Sequence, residues 1–93
     1  NVFIGHDGGY MTPVLDLCGV AGVMRAVVLR EAAGCALAVR EGRLPLTALR
    51  DCAGIFITNA RLGVVAVHEL DGRDLQVPAA VLRLADRVRA LAD

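Results

Sequence analysis

Apolar residues recur in this chain with two different spacings, and that alternation limits the folds it can adopt. Short apolar runs bounded by glycine, proline or polar turn formers predict β-strands at residues 2–4, 10–12, 36–40, 55–58 and 64–70. Apolar residues three or four positions apart predict helices at residues 20–33 and from 78 onward, and Pro45 opens a short helix over 45–52. No linker divides these elements, so the predicted fold class is α/β (α+β) in one domain.

Turn formers set the expected ends of these elements. The glycine-rich segment 5–9 predicts a hairpin between the first two strands, Pro13 ends the second strand, and Gly34 is expected to stop the first long helix. Asp71-Gly72 predicts a further turn. The expected buried face of the first helix comprises Val20, Val23, Met24, Val27, Val28 and Ala32. That of the last helix comprises Val81, Leu84, Ala85, Val88 and Leu91.

The stretch CGVAGVMR, residues 18–25, places two glycines just before or within the start of the first long helix. Gly19 and Gly22 can adopt positive φ and let a ligand approach the backbone closely. A helix that begins near Gly22 leaves the N–H groups of its first turn unpaired, and the helix dipole adds about half a positive charge there. Both effects stabilise a bound phosphate. The residues alone leave two alternatives open: an anion cradle, or a tight turn on the core with Arg25 in a structural salt bridge.

A second polar turn, Thr58-Asn59-Ala60-Arg61, follows the predicted buried strand at 55–58. Ligands of α/β sheets gather at the carboxyl ends of strands, where such a turn can donate to an anion through a backbone N–H or a side chain. An ordinary connecting turn is the alternative. Convergence of this turn and the glycine-bearing stretch on one anion would explain both.

No other part of the sequence offers a strong catalytic candidate. His6 lies in the glycine-rich turn and His68 on a predicted strand, neither in a recognisable catalytic arrangement. The cysteines at 18, 35 and 52 have no paired CxxC spacing, which predicts buried, reduced thiols of a cytoplasmic protein and no zinc site. The carboxylates are scattered singly, and all ten cationic side chains are arginine, so the chain contains no lysine.

Composition limits the partners that we expect. A formal net charge of zero argues against nucleic acid, and the two residues inside the GxxG are not basic, which argues against a KH-type RNA-binding loop. No apolar stretch approaches the ~20 residues of a membrane span. However, 56% of the 93 residues are hydrophobic and the mean hydropathy is +0.56, high values for so small a domain. We therefore expect part of the apolar surface to face another domain or subunit.

Three segments in order, NVFI, MTPVLDLCGVAGVMR and IFITNARLGVVAV, resemble the C-terminal domain of the fold-type-IV (class IV) pyridoxal-phosphate enzymes, and aminodeoxychorismate lyases most closely. The resemblance covers essentially all of the chain. It implies the D-amino-acid aminotransferase-like fold, a mixed sheet with flanking helices. Class IV aminotransferases favour GITR at the first site, so Met24 in place of their threonine favours a lyase. Arg61 and Ala66 depart from the apolar residue and the proline usual in the lyases.

The resemblance also implies roles for individual residues. The backbone N–H groups of Gly22, Val23 and Met24 hold the phosphate of pyridoxal 5'-phosphate, and Asn59 and Ala60 contribute from the second turn. Residues 1–93 are then the cofactor-phosphate-binding C-terminal domain of a larger enzyme.

The remaining parts of such an enzyme lie outside this sequence. In the family a lysine holds the cofactor as a Schiff base and an acidic residue pairs with its pyridine nitrogen, and both are expected upstream of Asn1. The implied partners are a missing N-terminal domain, in the same or a separate chain, a second copy in a homodimer and a small-molecule substrate. The implied reaction converts 4-amino-4-deoxychorismate to 4-aminobenzoate and pyruvate in folate biosynthesis. A class IV aminotransferase for branched-chain or D-amino acids, and a non-catalytic phosphate-binding or interaction domain, remain the alternatives.

Overall fold

A mixed β-sheet forms the centre of the domain. The computed structural model describes residues 1–6, 8–13, 23–43 and 47–91, with only the backbone of His6. Within those ranges the sheet has five strands in the order β3-β2-β1-β4-β5. Their bounds are β1 Val2–His6, β2 Gly9–Pro13, β3 Val39–Gly42, β4 Gly54–Asn59 and β5 Gly63–Val67. The β2–β3 pair is parallel and the other pairs are antiparallel, which confirms the predicted mixed α/β class.

Helices and a small hairpin complete the described part of the chain. The helices are α1 Val23–Glu31, which continues into a 3₁₀ turn over Ala32–Cys35, α2 Ala48–Asp51 and α3 Ala79–Leu91. The hairpin pairs β6 Glu69–Leu70 with β7 Arg73–Asp74. Its turn is the predicted Asp71-Gly72, where both residues have positive φ, 51° and 79°. None of the described helices is long and apolar enough to cross a membrane.

The two faces of the sheet carry two separate apolar clusters, because successive strand residues point to opposite sides. Phe3 and Phe56 point to the face on which α1, the 3₁₀ turn and α3 pack, and this larger cluster forms the main core. Ile4 and Ile55 point to the other face, where α2 and the β6–β7 hairpin cover them. On that second face Ile57 remains 40% exposed. The flanking helices predicted for the sheet are thus present.

The predicted buried face of α1 is wrong at its first described residue. Val23 is 81% exposed, whereas Arg25, which is not among the residues predicted for that face, is buried together with Val28. Arg25 turns inward because its guanidinium finds a carbonyl and a carboxylate there, as described below. On α3 the expected Val81, Leu84 and Val88 are buried, but Leu91 at the helix end is 55% exposed. Val20, also placed on the α1 face, lies outside the described residues.

Three predicted boundaries also differ from the structure. The first long helix does not stop at Gly34, because the chain tightens into the 3₁₀ turn and leaves it through Ala36, whose φ is 56°. The strand predicted from 36 begins only at Val39. The strand predicted over 64–70 is two strands in different sheets, with His68 between them; its carbonyl accepts the N–H of Leu75 at 2.8 Å, which diverts the chain into the small hairpin.

Candidate functional site

Several strand ends meet at one edge of the central sheet. Pro13 ends β2 beside Gly42, which ends β3, and Asn59 ends β4 opposite Gly63, which starts β5. Asn1 precedes β1 at the same edge, where its carbonyl accepts the N–H of Thr58 at 2.9 Å. We call these five positions, Asn1, Pro13, Gly42, Asn59 and Gly63, the Pro13 edge. The edge thus collects the ends of both strands that precede the two polar turns singled out in the sequence.

Arg25 ties the first turn of α1 to the Pro13 edge. Its Nη2 donates to the carbonyl oxygen of Pro13 and to Oε2 of Glu41, both at 2.8 Å. The arginine side chain is only 7% exposed, against 46% for the glutamate. Its Nε is buried and has no hydrogen-bond partner among the described residues. The salt bridge expected as the structural alternative for Arg25 therefore exists, and it holds the helix start against two strand ends.

The predicted phosphate-binding residues of the first turn fall partly within the described residues. Gly22 lies outside them, as do Gly19 and the rest of the segment before α1. Val23 and Met24 are the first two residues of α1, and Met24 packs against the main core. The first four N–H groups of an α-helix have no acceptor within the helix, which is the basis for expecting an anion at the start of α1. Val23 itself is exposed at that helix start.

Asn59 builds the second turn with its own side chain. Its Oδ1 accepts the backbone N–H of Arg61 at 2.8 Å and that of Leu62 at 3.1 Å. Gly63 closes the connection with a φ of 79°, a conformation that favours glycine. Asn59 and Ala60 are both exposed. The ordinary turn considered as the alternative is therefore present, and its outer surface remains open to a ligand.

The described start of α1 and the second predicted turn belong to elements that are close in the fold. α1 contacts β4, the strand that ends at Asn59. Arg25 connects the start of α1 to the end of β2, which is separated from β4 only by β1. Sequence reasoning required an acidic partner for Arg25 but did not identify Glu41. No local spacing could have found it, because the pair depends on the parallel β2–β3 pairing.

Arg61 lies in the turn between Asn59 and Gly63, and Arg43 follows Gly42, so both are at this edge, whereas Glu31 and Tyr10 lie away from it. Glu31, in the last turn of α1, accepts hydrogen bonds from Arg87 at 2.8 Å and Arg30 at 3.0 Å, and these bonds hold the pKa of its carboxyl below the usual range. Burial, reinforced by nearby Cys52, raises the pKa of the Tyr10 hydroxyl. His68 is exposed, and the described residues contain no group of three or more metal-binding side chains.

The described cysteines are buried and unpaired. Cys35 belongs to the main core, and the Sγ of Cys52 donates to the carbonyl of Leu49 at 3.2 Å. Arg73 donates to the carbonyls of Cys52 and Leu49 at 2.8 and 3.1 Å, so it fixes the end of α2. Cys18 lies outside the described residues. The predicted buried thiols are thus confirmed at two of three positions, and both pack within the protein.

Comparison with known proteins supplies a family context for this edge. The profile described as Amino-transferase class IV matches residues 1–70. The chain is 32% identical over 89 residues to the aminodeoxychorismate lyase of Vibrio harveyi, a match that covers 96% of this chain and 33% of that protein.

Solved structures of a lyase and of an aminotransferase also match this chain. The 4-amino-4-deoxychorismate lyase from Pseudomonas aeruginosa matches with a TM-score of 0.83 and 31% identity, covering 97% of this chain and 33% of that one. An aminotransferase from Brucella abortus bound to the cofactor PLP matches with a TM-score of 0.83 and 26% identity, covering 99% and 32%. The chain therefore spans about one third of the length of the proteins it matches.

Proposed function

This chain belongs to the class IV aminotransferase family, and from that premise we propose that it is the cofactor-phosphate-binding C-terminal domain of an aminodeoxychorismate lyase. The observation that carries the proposal is the attachment of the α1 start to the Pro13 edge by Arg25. This bond fixes the start of α1 to the sheet that also carries the second turn, and the proposal is that the N–H groups and the positive dipole end of α1 face the same anion as that turn. The identity of 32% to a lyase over nearly the whole chain supports the choice of reaction.

The residues proposed to bind the cofactor beside the Pro13 edge suit a phosphate monoester. The amides of Gly22, Val23 and Met24 would donate to its oxygens, and Asn59 and Ala60 would face it from the second turn. The nearby guanidinium of Arg25 is already neutralised by Glu41, so the attraction for an anion comes mainly from backbone dipoles. Pyridoxal phosphate, when bound, supplies an electron sink for the carbanion chemistry of the substrate. The role of this chain is to fix the position and tilt of the cofactor.

Proton transfer is assigned to the part of the enzyme outside this sequence. The chain contains no lysine, so the lysine that carries the cofactor must come from the rest of the protein. β1 begins at the Pro13 edge, so residues that precede Asn1 in a longer protein would enter beside Pro13 and Asn59. In the proposed reaction 4-amino-4-deoxychorismate loses a ring proton, the bond from the ring to the enolpyruvyl oxygen breaks, and the departing enolpyruvate takes up a proton to become pyruvate, which leaves 4-aminobenzoate. We further propose that the whole protein is a homodimer.

One assay of the full-length protein loaded with pyridoxal phosphate distinguishes the lyase from its two alternatives, an aminotransferase and a non-catalytic binding domain. The lyase releases pyruvate and 4-aminobenzoate in equal amounts from 4-amino-4-deoxychorismate without an amino acceptor. An aminotransferase, favoured by the likeness to the Brucella abortus enzyme, consumes a 2-oxo acid in step with an amino acid and releases no 4-aminobenzoate. If the protein binds the cofactor but shows neither lyase nor aminotransferase turnover, both enzyme proposals are contradicted, and a binding domain is indicated. Pyruvate release that depends on an added 2-oxo acid would overturn the lyase.

A further inference from the structure

We propose that Arg25 is a positioning residue that aligns the phosphate-binding amides of α1 without binding the phosphate itself. The inference rests on the proposed function, because it concerns how the proposed phosphate-binding amides are kept in position. Its basis is that one buried guanidinium nitrogen, Nη2, bonds two separate strand ends from the first turn of the helix.

The bonds of Arg25 connect three elements of the fold. Nη2 reaches the Pro13 carbonyl at the end of β2 and the Glu41 carboxylate on β3, both at 2.8 Å. β2 is itself fixed to β1, because the hydroxyl of Thr12, 1% exposed, donates to the carbonyl of Val2 at 2.8 Å. Charge-assisted bonds of this length are directional and strong. The first turn of α1 is therefore held to the sheet through a continuous series of hydrogen bonds.

The charge balance of the pair explains why an arginine is tolerated here. A cation in the first turn of a helix is disfavoured by the helix dipole, and a desolvated one requires a partner. The Arg25 side chain is only 7% exposed, and Glu41 supplies the compensating charge. Loss of Glu41 would leave this cation unpaired at the helix start. The helix would then have to shift for the guanidinium to reach water, and the amides of Val23 and Met24 would move with it.

A direct contact between Arg25 and the phosphate is the competing explanation. Its Nε is buried and unpartnered among the described residues, so it could donate to a phosphate oxygen. The two explanations predict opposite effects of Glu41. If Arg25 bound the phosphate, neutralising Glu41 would free its positive charge and leave phosphate affinity unchanged or tighter. If Arg25 only positions the helix, the same change would weaken phosphate binding.

The test compares pyridoxal 5'-phosphate with pyridoxal, which lacks the phosphate, as ligands of the full-length apoprotein. Binding of each is measured by absorbance titration for wild type, Glu41→Gln and Arg25→Lys. For Glu41→Gln we expect affinity for pyridoxal phosphate to fall about tenfold or more, since hydrogen bonds to charged groups have that strength. Affinity for pyridoxal should change by less than about twofold. Arg25→Lys keeps the charge but loses the planar guanidinium whose Nη2 donates to both partners, so it should show the same selective loss.

Matched controls use exposed residues of the same types. Glu69→Gln on β6 and Arg30→Lys on α1 should leave both affinities at the wild-type values. Unchanged or tighter binding of pyridoxal phosphate by Glu41→Gln would overturn the positioning role and favour direct contact. Equal losses for both ligands would also overturn it, since general unfolding does not distinguish them. If the wild-type protein binds pyridoxal phosphate and pyridoxal equally, the proposed phosphate-binding site does not exist, and the proposed function is wrong as well. If Glu41→Gln fails to fold, Arg25→Lys and Glu41→Asp carry the comparison.

Discussion

Phe3 and Phe56 stack in the centre of the main core, with ring centroids 4.6 Å apart and ring planes inclined by 5°. The two residues are directly opposed on β1 and β4, and neither has any exposed surface. Tyr10 adds a tilted ring 5.0 Å from that of Phe56. These are the only three aromatic side chains of the 93-residue sequence, and the sheet collects all of them under its helices. The position of α1 over β4 thus depends on this stack.

Truncation of Phe56 should therefore destabilise the fold strongly. We expect Phe56→Ala to lower the free energy of unfolding by about 3–5 kcal/mol, because it removes buried area and leaves a cavity. Urea denaturation monitored by circular dichroism measures the change. Leu62→Ala, at a side chain 64% exposed, should alter stability by less than about 0.5 kcal/mol. A loss for Phe56→Ala as small as that for Leu62→Ala would contradict the packing described.

Gly54 should not tolerate a side chain. A Cβ at this position would lie 2.7 Å from the carbonyl oxygen of Gln76 and 2.8 Å from the Tyr10 hydroxyl. The first contact is with backbone, which cannot move aside easily, so Gly54→Ala should cost about 1–3 kcal/mol.

Gly34→Ala is the matched control for that substitution. Its nearest neighbours are the guanidinium atoms of Arg87, at 3.1 Å, which belong to a flexible side chain. We expect a change smaller than about 1 kcal/mol. Thermal unfolding of both variants decides the comparison, and equal destabilisation would show that backbone contact is not what excludes a side chain at Gly54.

The sequence predicted the sheet well because its signals are local. Apolar runs and turn formers are sufficient to place β1, β2 and β4, and Asp71-Gly72 specified its turn through the conformations those residues favour. The parallel pairing of β2 with β3 is different, because it joins residues far apart in the chain. The division between β5 and β6 also depends on a contact that apolar patterning does not show, the bond from the N–H of Leu75 to the carbonyl of His68.

The sequence suggested residues for the candidate site but not the contacts that support them. Glycine spacing and the helix start pointed to Val23 and Met24, and a strand end pointed to Asn59. Helical periodicity placed Val23 on the buried face, which is wrong, and it left Arg25 unassigned, because periodicity counts apolarity and cannot anticipate a cation that an ion pair allows to be buried. Glu41 was not identified for the same reason: its role arises only when β3 lies beside β2.

Glu31 should make the stability of the domain depend on acid pH. Hydrogen bonds from Arg87 and Arg30 lower the pKa of its carboxyl in the folded state relative to the unfolded chain. Its contribution to stability is therefore present above the unfolded pKa and is lost as pH falls through the folded pKa.

Thermal unfolding of Glu31→Gln across pH measures this contribution. At pH 7 the variant should melt below wild type, and the difference should disappear in acid once the wild-type carboxyl is protonated. High salt should also reduce the difference, because the groups are partly exposed. Asp86→Asn, which breaks the exposed pair with Arg89, should show little effect at any pH. A gap between wild type and Glu31→Gln that persists in acid would assign the effect to packing instead of charge.

Asn59 allows the shape of its turn to be separated from its proposed contact with phosphate. Asn59→Ala removes the acceptor of two backbone N–H groups and should lower stability by about 1 kcal/mol. Asn59→Asp keeps an oxygen acceptor, so its thermal unfolding should match wild type, but its negative charge would repel a phosphate nearby. In the full-length protein we therefore expect Asn59→Asp to bind pyridoxal phosphate more weakly and pyridoxal normally. If Asn59→Asp binds pyridoxal phosphate and pyridoxal with wild-type affinity, Asn59 only forms the turn and does not contact the phosphate.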